Sequence, residues 1–158
     1  MIYLILAALI VIADQAVKYL VVSHIALGET AFSVLGLFSV TYVKNEGAAF
    51  SIMSGRVSAL SVVSVLFCVG VVAYWIWKKP KNKLLCTSLA LMFSGALGNA
   101  IDRIFRDFVV DFINAEFISF PVFNIADMAI VIGAALLVLY EILFDKKEDK
   151  KENADDNS

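Results

Sequence analysis

The sequence at positions 57–83 is VSALSVVSVLFCVGVVAYWIWKKPKNK. From Val57 to Trp77 it contains no charged side chain, and a helix needs roughly 20 mostly apolar residues to cross the hydrocarbon layer of a membrane. The segment ends in Tyr74, Trp75 and Trp77, residues typical of the membrane–water interface, and lysines follow directly. This pattern predicts a transmembrane helix that ends at a lysine-rich loop.

The rest of the chain has the same character. Its 158 residues are 61% hydrophobic and 18% charged, which is more apolar than one soluble domain of this length could bury. Residues 1–144 are predicted to form one membrane domain, and the polar residues 145–158 a disordered tail. The four predicted spans are Ile2–Val22, Val57–Trp77, Leu84–Arg103 and Pro121–Phe144.

Residues 23–55 have a different pattern. Three short pieces rich in β-forming residues are separated by glycines and by the turn sequence Asn45-Glu46-Gly47. We therefore predict an all-α membrane protein of four transmembrane helices with a small β-sheet between helices 1 and 2. The three predicted strands are Ala31–Leu35, Phe38–Lys44 and Ala48–Met53.

The basic residues indicate the orientation. Eight of the thirteen lie in the loop at 78–83 and in the tail, whereas the other two connections hold only Lys44, Arg56, Arg103 and Arg106. Loops rich in Lys and Arg stay in the cytoplasm. Both termini are therefore predicted to be cytoplasmic, and the predicted sheet extracytoplasmic.

Ionisable residues inside spans are costly and are candidates for function. Asp14, Asn99, Asp102, Asn124 and Asp127 are predicted to lie at one depth, in the outer half of the bilayer. A further acid, Asp111, follows in an outer apolar stretch too short to span. If that stretch folds back over helix 4, Asp111 and Asp127 form a carboxylate pair.

Two close carboxylates tend to share one proton, as in aspartic proteases. No other nucleophile fits as well, because Ser94 has no partner base and neither Cys68 nor Cys86 has a nearby histidine. With a single histidine and no C-x-x-C motif, no metal site is expected. We also expect no cofactor and no nucleic-acid partner, since the lysine runs are short and carry no interleaved aromatic platform.

Five ordered blocks of the chain resemble the signature blocks of lipoprotein signal peptidase, also called signal peptidase II. The blocks are Asp14-Gln15-Ala16-Val17-Lys18, Asn45-Glu46-Gly47-Ala48-Ala49-Phe50, Gly95-Ala96-Leu97-Gly98-Asn99-Ala100-Ile101-Asp102-Arg103, Val109-Val110-Asp111-Phe112 and Phe123-Asn124-Ile125-Ala126-Asp127. They extend from the first helix to the last, and only the polar tail falls outside the resemblance.

The resemblance implies an aspartic endopeptidase of the bacterial cell membrane, with its active site near the outer leaflet. It would cleave signal peptides from diacylglyceryl-modified prolipoproteins just before the lipidated cysteine, with the outer sheet as a cradle for the substrate. Prolipoproteins and membrane lipids are then the expected partners, and we expect a monomer. The implied catalytic pair is Asp111 and Asp127, and the implied supporting residues are Asp14, Lys18, Asn45, Asn99, Arg103 and Asn124.

Simpler roles remain open for single residues. Asp102 could form only a structural ion pair with Arg103, Lys18 could extend toward the lipid headgroups, and Asn45 could be a turn residue. Asn99 and Asn124 could only join neighbouring helices. For the whole chain, the alternatives are a proton-coupled transporter and a non-catalytic scaffold. The first is disfavoured because no Asp, Glu, Lys, Arg or His side chain lies in the predicted cytoplasmic halves, 2–9, 67–73 and 133–139.

Overall fold

The computed structural model describes residues 1–47 and 57–155. Within them, four helices are long and apolar enough to cross a membrane, as predicted. The third predicted strand, Ala48–Met53, lies outside the described residues. In chain order the elements are α1 Ile2–His24, β1 Thr30–Val34, β2 Phe38–Asn45, α2 Val57–Lys78, α3 Lys83–Arg106, β3 Val109–Ala115 and α4 Ile125–Asp155.

Helix α3 is the central element of the bundle. It packs against α1, α2 and α4, and it is the most buried of the four spans. Its start is fixed by Asn82, whose side-chain oxygen accepts hydrogen bonds from the backbone N–H groups of Leu84 (2.9 Å) and Leu85 (3.3 Å). Its end is fixed by Asp107, which adopts a left-handed conformation with φ 63°. Polar residues on α3 are therefore held between the other helices.

The sheet is antiparallel with the strand order β1-β2-β3. Its hairpin turns through Leu35 and Gly36, which have the positive φ values of 55° and 68° that a two-residue turn of this hand requires. The third strand of the described sheet, β3, comes from the connection between α3 and α4. The sheet thus joins the α1–α2 and α3–α4 connections, and Val21, Tyr42, Val110 and Phe112 form a cluster that packs it on α1.

Helix α4 corrects one prediction. It continues through Asp155, so residues 145–155, which we expected to be disordered from their composition, are helical. This stretch contains no glycine or proline, and its lysines and glutamates have good helix propensity. A polar composition therefore did not exclude a helical continuation of the last span.

Candidate active site

The start of α4 forms one part of the site. The side-chain oxygen of Asn124 accepts a hydrogen bond from the backbone N–H of Asp127 at 2.9 Å, and the Asp127 carboxylate accepts one from the backbone N–H of Asn124 at 3.1 Å. This reciprocal pair is a capping box, which satisfies N–H groups at a helix start. It fixes both side chains at the N-terminal end of α4.

Strand β3 supplies the second acid. Asp111 is buried, with 2% of its surface exposed, and it pairs across the sheet with Val43. Its carboxylate accepts hydrogen bonds from the side-chain amides of Asn45 (2.8 Å) and Asn124 (2.7 Å). Asn124 therefore contacts both predicted catalytic acids, through its side chain on Asp111 and its backbone on Asp127.

The environment of Asp111 favours its protonated form. The pKa of Asp111 is raised from 3.8 to about 7, chiefly by burial and secondly by the negative charge of Asp127. The hydrogen bonds from Asn45 and Asn124 and the charge of Lys18 act the other way but are weaker. Asp111 is thus an acid that can hold a proton near neutral pH.

Asn99 of α3 links the acids to the interior of the bundle. Its amide donates to the Asp127 carboxylate at 2.7 Å. Its carbonyl oxygen accepts from Lys18 Nζ at 3.1 Å and from the Asn124 amide at 3.2 Å. Asn99 and Asn124 thus join neighbouring elements and also contact the acids.

A buried charge cluster lies beneath the acids. Lys18 Nζ is 2.9 Å from a carboxylate oxygen of Asp14 and 2.9 Å from one of Asp102, and all three side chains are fully buried. Lys18 therefore does not extend toward headgroups. Asp102 does form a structural ion pair, but with Lys18 and with Arg106 at 3.5 Å rather than with Arg103.

Two further residues of this cluster were not predicted. Gln15 donates hydrogen bonds to the Asp14 carboxylate (3.2 Å), to the Gly98 carbonyl (3.1 Å) and to the Asp102 carboxylate (3.4 Å). Gly98 lies so close to α1 that a Cβ atom there would be 2.8 Å from Asp14 Oδ2. A sequence signal was present, since Gln15 directly follows Asp14 and Gly98 directly precedes Asn99, but spacing alone does not identify the partner of either residue.

An open cavity of about 590 Å³ faces the two acids. Arg103, Asp111 and Asp127 line it together with Asn45 and Asn99, so five of the eight predicted site residues meet there. Apolar side chains complete most of the wall, among them Phe120, Phe123, Met128, Val131 and Ile132. Asp14, Lys18 and Asn124 lie behind this wall and act on it through hydrogen bonds. In the described part of the chain, no group of three or more His, Cys, Asp or Glu side chains is arranged to hold a metal ion.

The chain is similar to known proteins along almost its whole length. A family model described as signal peptidase (SPase) II matches residues 6–143. The chain is 38% identical over 156 residues to the lipoprotein signal peptidase of Halalkalibacterium halodurans, which covers 98% of this chain and 100% of that protein. It is 40% identical over 149 residues to the lipoprotein signal peptidase of Lactiplantibacillus plantarum, with 94% and 99% coverage.

Solved structures share the fold of this chain. A solved structure described as a bacterial membrane enzyme superimposes with a TM-score of 0.86 at 32% identity, over 95% of this chain and 92% of that chain. A second structure with the same description gives a TM-score of 0.79 over 87% of this chain. Because the family match includes every residue of the site and the fold is shared almost end to end, this multi-pass membrane protein belongs to the signal peptidase II family.

Proposed function

We propose that this chain is an intramembrane aspartic endopeptidase that cleaves the signal peptide from diacylglyceryl-modified prolipoproteins, just before the lipidated cysteine. The family is one of peptidases, which makes the protein a hydrolase. The observation that carries the aspartic mechanism is the convergence of Asp111 and Asp127, from different elements, on one cavity. Asn124 holds both acids, so they act as one unit.

In this mechanism the two acids divide the proton transfers. Asp111, with its raised pKa, carries the shared proton and donates it to the oxygen of the scissile carbonyl. Asp127 accepts a proton from the attacking water, whose oxygen bonds to the carbonyl carbon. The tetrahedral diol then collapses: the C–N bond breaks, Asp127 passes its proton to the leaving nitrogen of the cysteine, and Asp111 regains its proton from a diol hydroxyl. Both acids return to their starting states.

The cavity wall suits a lipid-linked substrate. Met128, Val131 and Ile132 form an apolar side of the cavity on α4, and all of them belong to a membrane-length span. Acyl chains and a signal helix can lie against such a surface, while the Arg103 side chain reaches the polar side of the cavity. We infer that Arg103 contacts the peptide backbone of the substrate near the bond that is cleaved.

The site is proposed to lie near the outer leaflet. Asp127 is in the first turn of α4, and Asn99 and Asp102 are in the last turns of α3, so the acids belong to one end of the bundle. The lysine-rich loop at 78–83 is at the opposite end and marks the cytoplasmic side, together with both termini. A precursor anchored in the outer leaflet by its diacylglyceryl group then presents its cleavage site at the right depth. The enzyme is proposed to work as a monomer.

The test is cleavage of a synthetic precursor by the purified protein in lipid. Lipidated precursor should be cut, and the same peptide without the diacylglyceryl group should be cut poorly, because its scissile bond is not held at the cavity. Asp111→Asn and Asp127→Asn should each reduce kcat by roughly 1,000-fold or more, since an amide can neither share nor accept the proton. Chelators should leave the rate unchanged.

A matched control is Asp107→Asn. Asp107 is an exposed outer residue with a left-handed backbone, a conformation that asparagine tolerates, and it should keep wild-type activity. Equal cleavage of lipidated and non-lipidated peptide would refute the substrate assignment. An active double variant with both Asp111→Asn and Asp127→Asn would refute the aspartic mechanism.

A further inference from the structure

Each acid of the proposed pair follows a residue whose backbone is held by another buried carboxylate. The N–H of Ala126, directly before Asp127, donates to Asp14 Oδ1 at 3.0 Å. The N–H of Val110, directly before Asp111, donates to Asp102 Oδ2 at 3.1 Å. Asp14 and Asp102 do not line the cavity. They therefore act on the two acids that do line it by fixing the peptide group directly before each of them.

One ammonium group joins these two supports. Lys18 Nζ contacts Asp14 Oδ2 and Asp102 Oδ2 at 2.9 Å each, and it donates a third hydrogen bond to Asn99 Oδ1 at 3.1 Å. These three contacts use all three N–H bonds of the ammonium group. The position of Asp14 relative to Asp102 is thus set by one atom, and with it the position of Ala126 relative to Val110.

Stability alone does not account for such a cluster. A buried ion pair is often no more stabilising than well-packed apolar side chains of the same volume, because desolvation offsets the Coulomb attraction. Lys18 is fully buried and is not among the residues that line the cavity, so direct contact with substrate does not account for it either. Its three contacts join α1 to α3, and two of the residues it contacts, Asp14 and Asn99, in turn bond to the start of α4.

We propose that Lys18 is a positioning residue that sets the separation of Asp111 and Asp127 through Asp102 and Asp14. This inference rests on the proposed aspartic mechanism and adds to it a residue that touches neither substrate nor reacting atoms. The two connections are separate: Asp102 positions Asp111 through the Val110 N–H, and Asp14 positions Asp127 through the Ala126 N–H.

The central variant is Lys18→Met, which keeps a long unbranched side chain and removes the ammonium group. A displacement of the acids by about 1 Å costs roughly 100-fold in rate, so kcat should fall by about this factor. KM should stay within roughly twofold, because the cavity wall that binds the precursor is intact. Ser88→Ala, which removes another buried hydrogen bond within α3, is the matched control and should keep wild-type kcat.

The triple variant Asp14→Asn, Lys18→Met, Asp102→Asn separates positioning from charge balance. It leaves no uncompensated charge among the three residues, and its amide oxygens can still accept from Ala126 and Val110. If Lys18 only neutralises buried acids, the triple variant regains wild-type kcat. If Lys18 positions the pair, the triple variant regains thermal stability in detergent while kcat stays roughly 100-fold low.

The outcomes are decisive in each case. A triple variant with restored kcat overturns the proposal, as does Lys18→Met with unchanged kcat, or with a raised KM and unchanged kcat. If Lys18→Met alone cannot be obtained folded, the triple variant decides the question by itself. Failure of the wild-type protein to cleave lipidated precursor, or full activity of Asp111→Asn, would instead overturn the proposed function.

Discussion

Replacing Gly98 with alanine is expected to slow cleavage about tenfold. The added Cβ would lie 2.8 Å from Asp14 Oδ2 and 3.3 Å from the Ala126 side chain, whereas ordinary contacts begin at 3.4 Å. Asp14 must therefore move by 0.6 Å, the difference between 3.4 and 2.8 Å, or the helices must separate by a similar distance. Because Asp14 holds the Ala126 N–H, this shift is transmitted to Asp127.

The size of the effect follows from that distance. If a misplacement of about 1 Å costs roughly 100-fold, 0.6 Å corresponds to about one order of magnitude in kcat. Overpacking should also destabilise the fold by about 1–3 kcal/mol. The assay is steady-state cleavage of lipidated precursor, combined with thermal unfolding in detergent.

Gly70 provides the matched control. It lies in the membrane-spanning part of α2, and a Cβ added there meets nothing within 4 Å. Gly70→Ala should therefore leave both kcat and the melting temperature at or slightly above the wild-type values. If Gly98→Ala kept wild-type kcat, or if Gly70→Ala lost as much activity, the close approach of α3 to Asp14 would not control the acids.

Three further outcomes are expected. Activity should fall as the pH rises through about 7, where Asp111 loses its proton. Asp127→Asn should lower the pKa of Asp111 in a carboxyl ¹³C titration, because it removes a neighbouring negative charge. An unchanged pKa would contradict the coupling of the two acids. Asn124→Ala should reduce kcat by roughly 100-fold, since both acids lose contacts, and should lower the free energy of unfolding by about 1 kcal/mol through the lost helix cap. Wild-type kinetics would show that the contacts of Asn124 with the two acids are dispensable. In intact cells, an impermeant thiol reagent should label a cysteine placed at Asp107 but not one placed at Lys81, and the reverse pattern would invert the topology.

The helices could be predicted closely because membrane insertion depends on local composition. The first predicted span, Ile2–Val22, is observed as Ile2–His24, and the second, Val57–Trp77, as Val57–Lys78. The contact between Asp14 and Lys18 could also be predicted from the sequence, because residues four apart share a helix face.

The rest of the site depends on contacts between distant segments. Nothing in the spacing of Val109–Ala115 identifies β2 as its partner, since antiparallel pairing is chosen by the packing of whole elements. The contact of Lys18 with Asp102 likewise joins two helices whose relative rotation the hydropathy pattern does not define. Asp14, Asn99, Asp111, Asn124 and Asp127 could be singled out as polar side chains in or beside the spans, and the resemblance assigned roles to all eight site residues. Their hydrogen-bonded arrangement came only from the structure.

The distribution of the buried charges has a consequence for how the chain is made. Asp14 and Lys18 neutralise each other within one turn of α1, so the first helix can enter the bilayer during synthesis without an unpaired charge. Their other partners, Asp102 and the N–H of Ala126, are translated much later. The order of translation therefore matches the order in which charges need partners. Under the proposed mechanism, a ribosome-bound chain that has not yet inserted α4 has no Asp127 in place and cannot cleave a precursor.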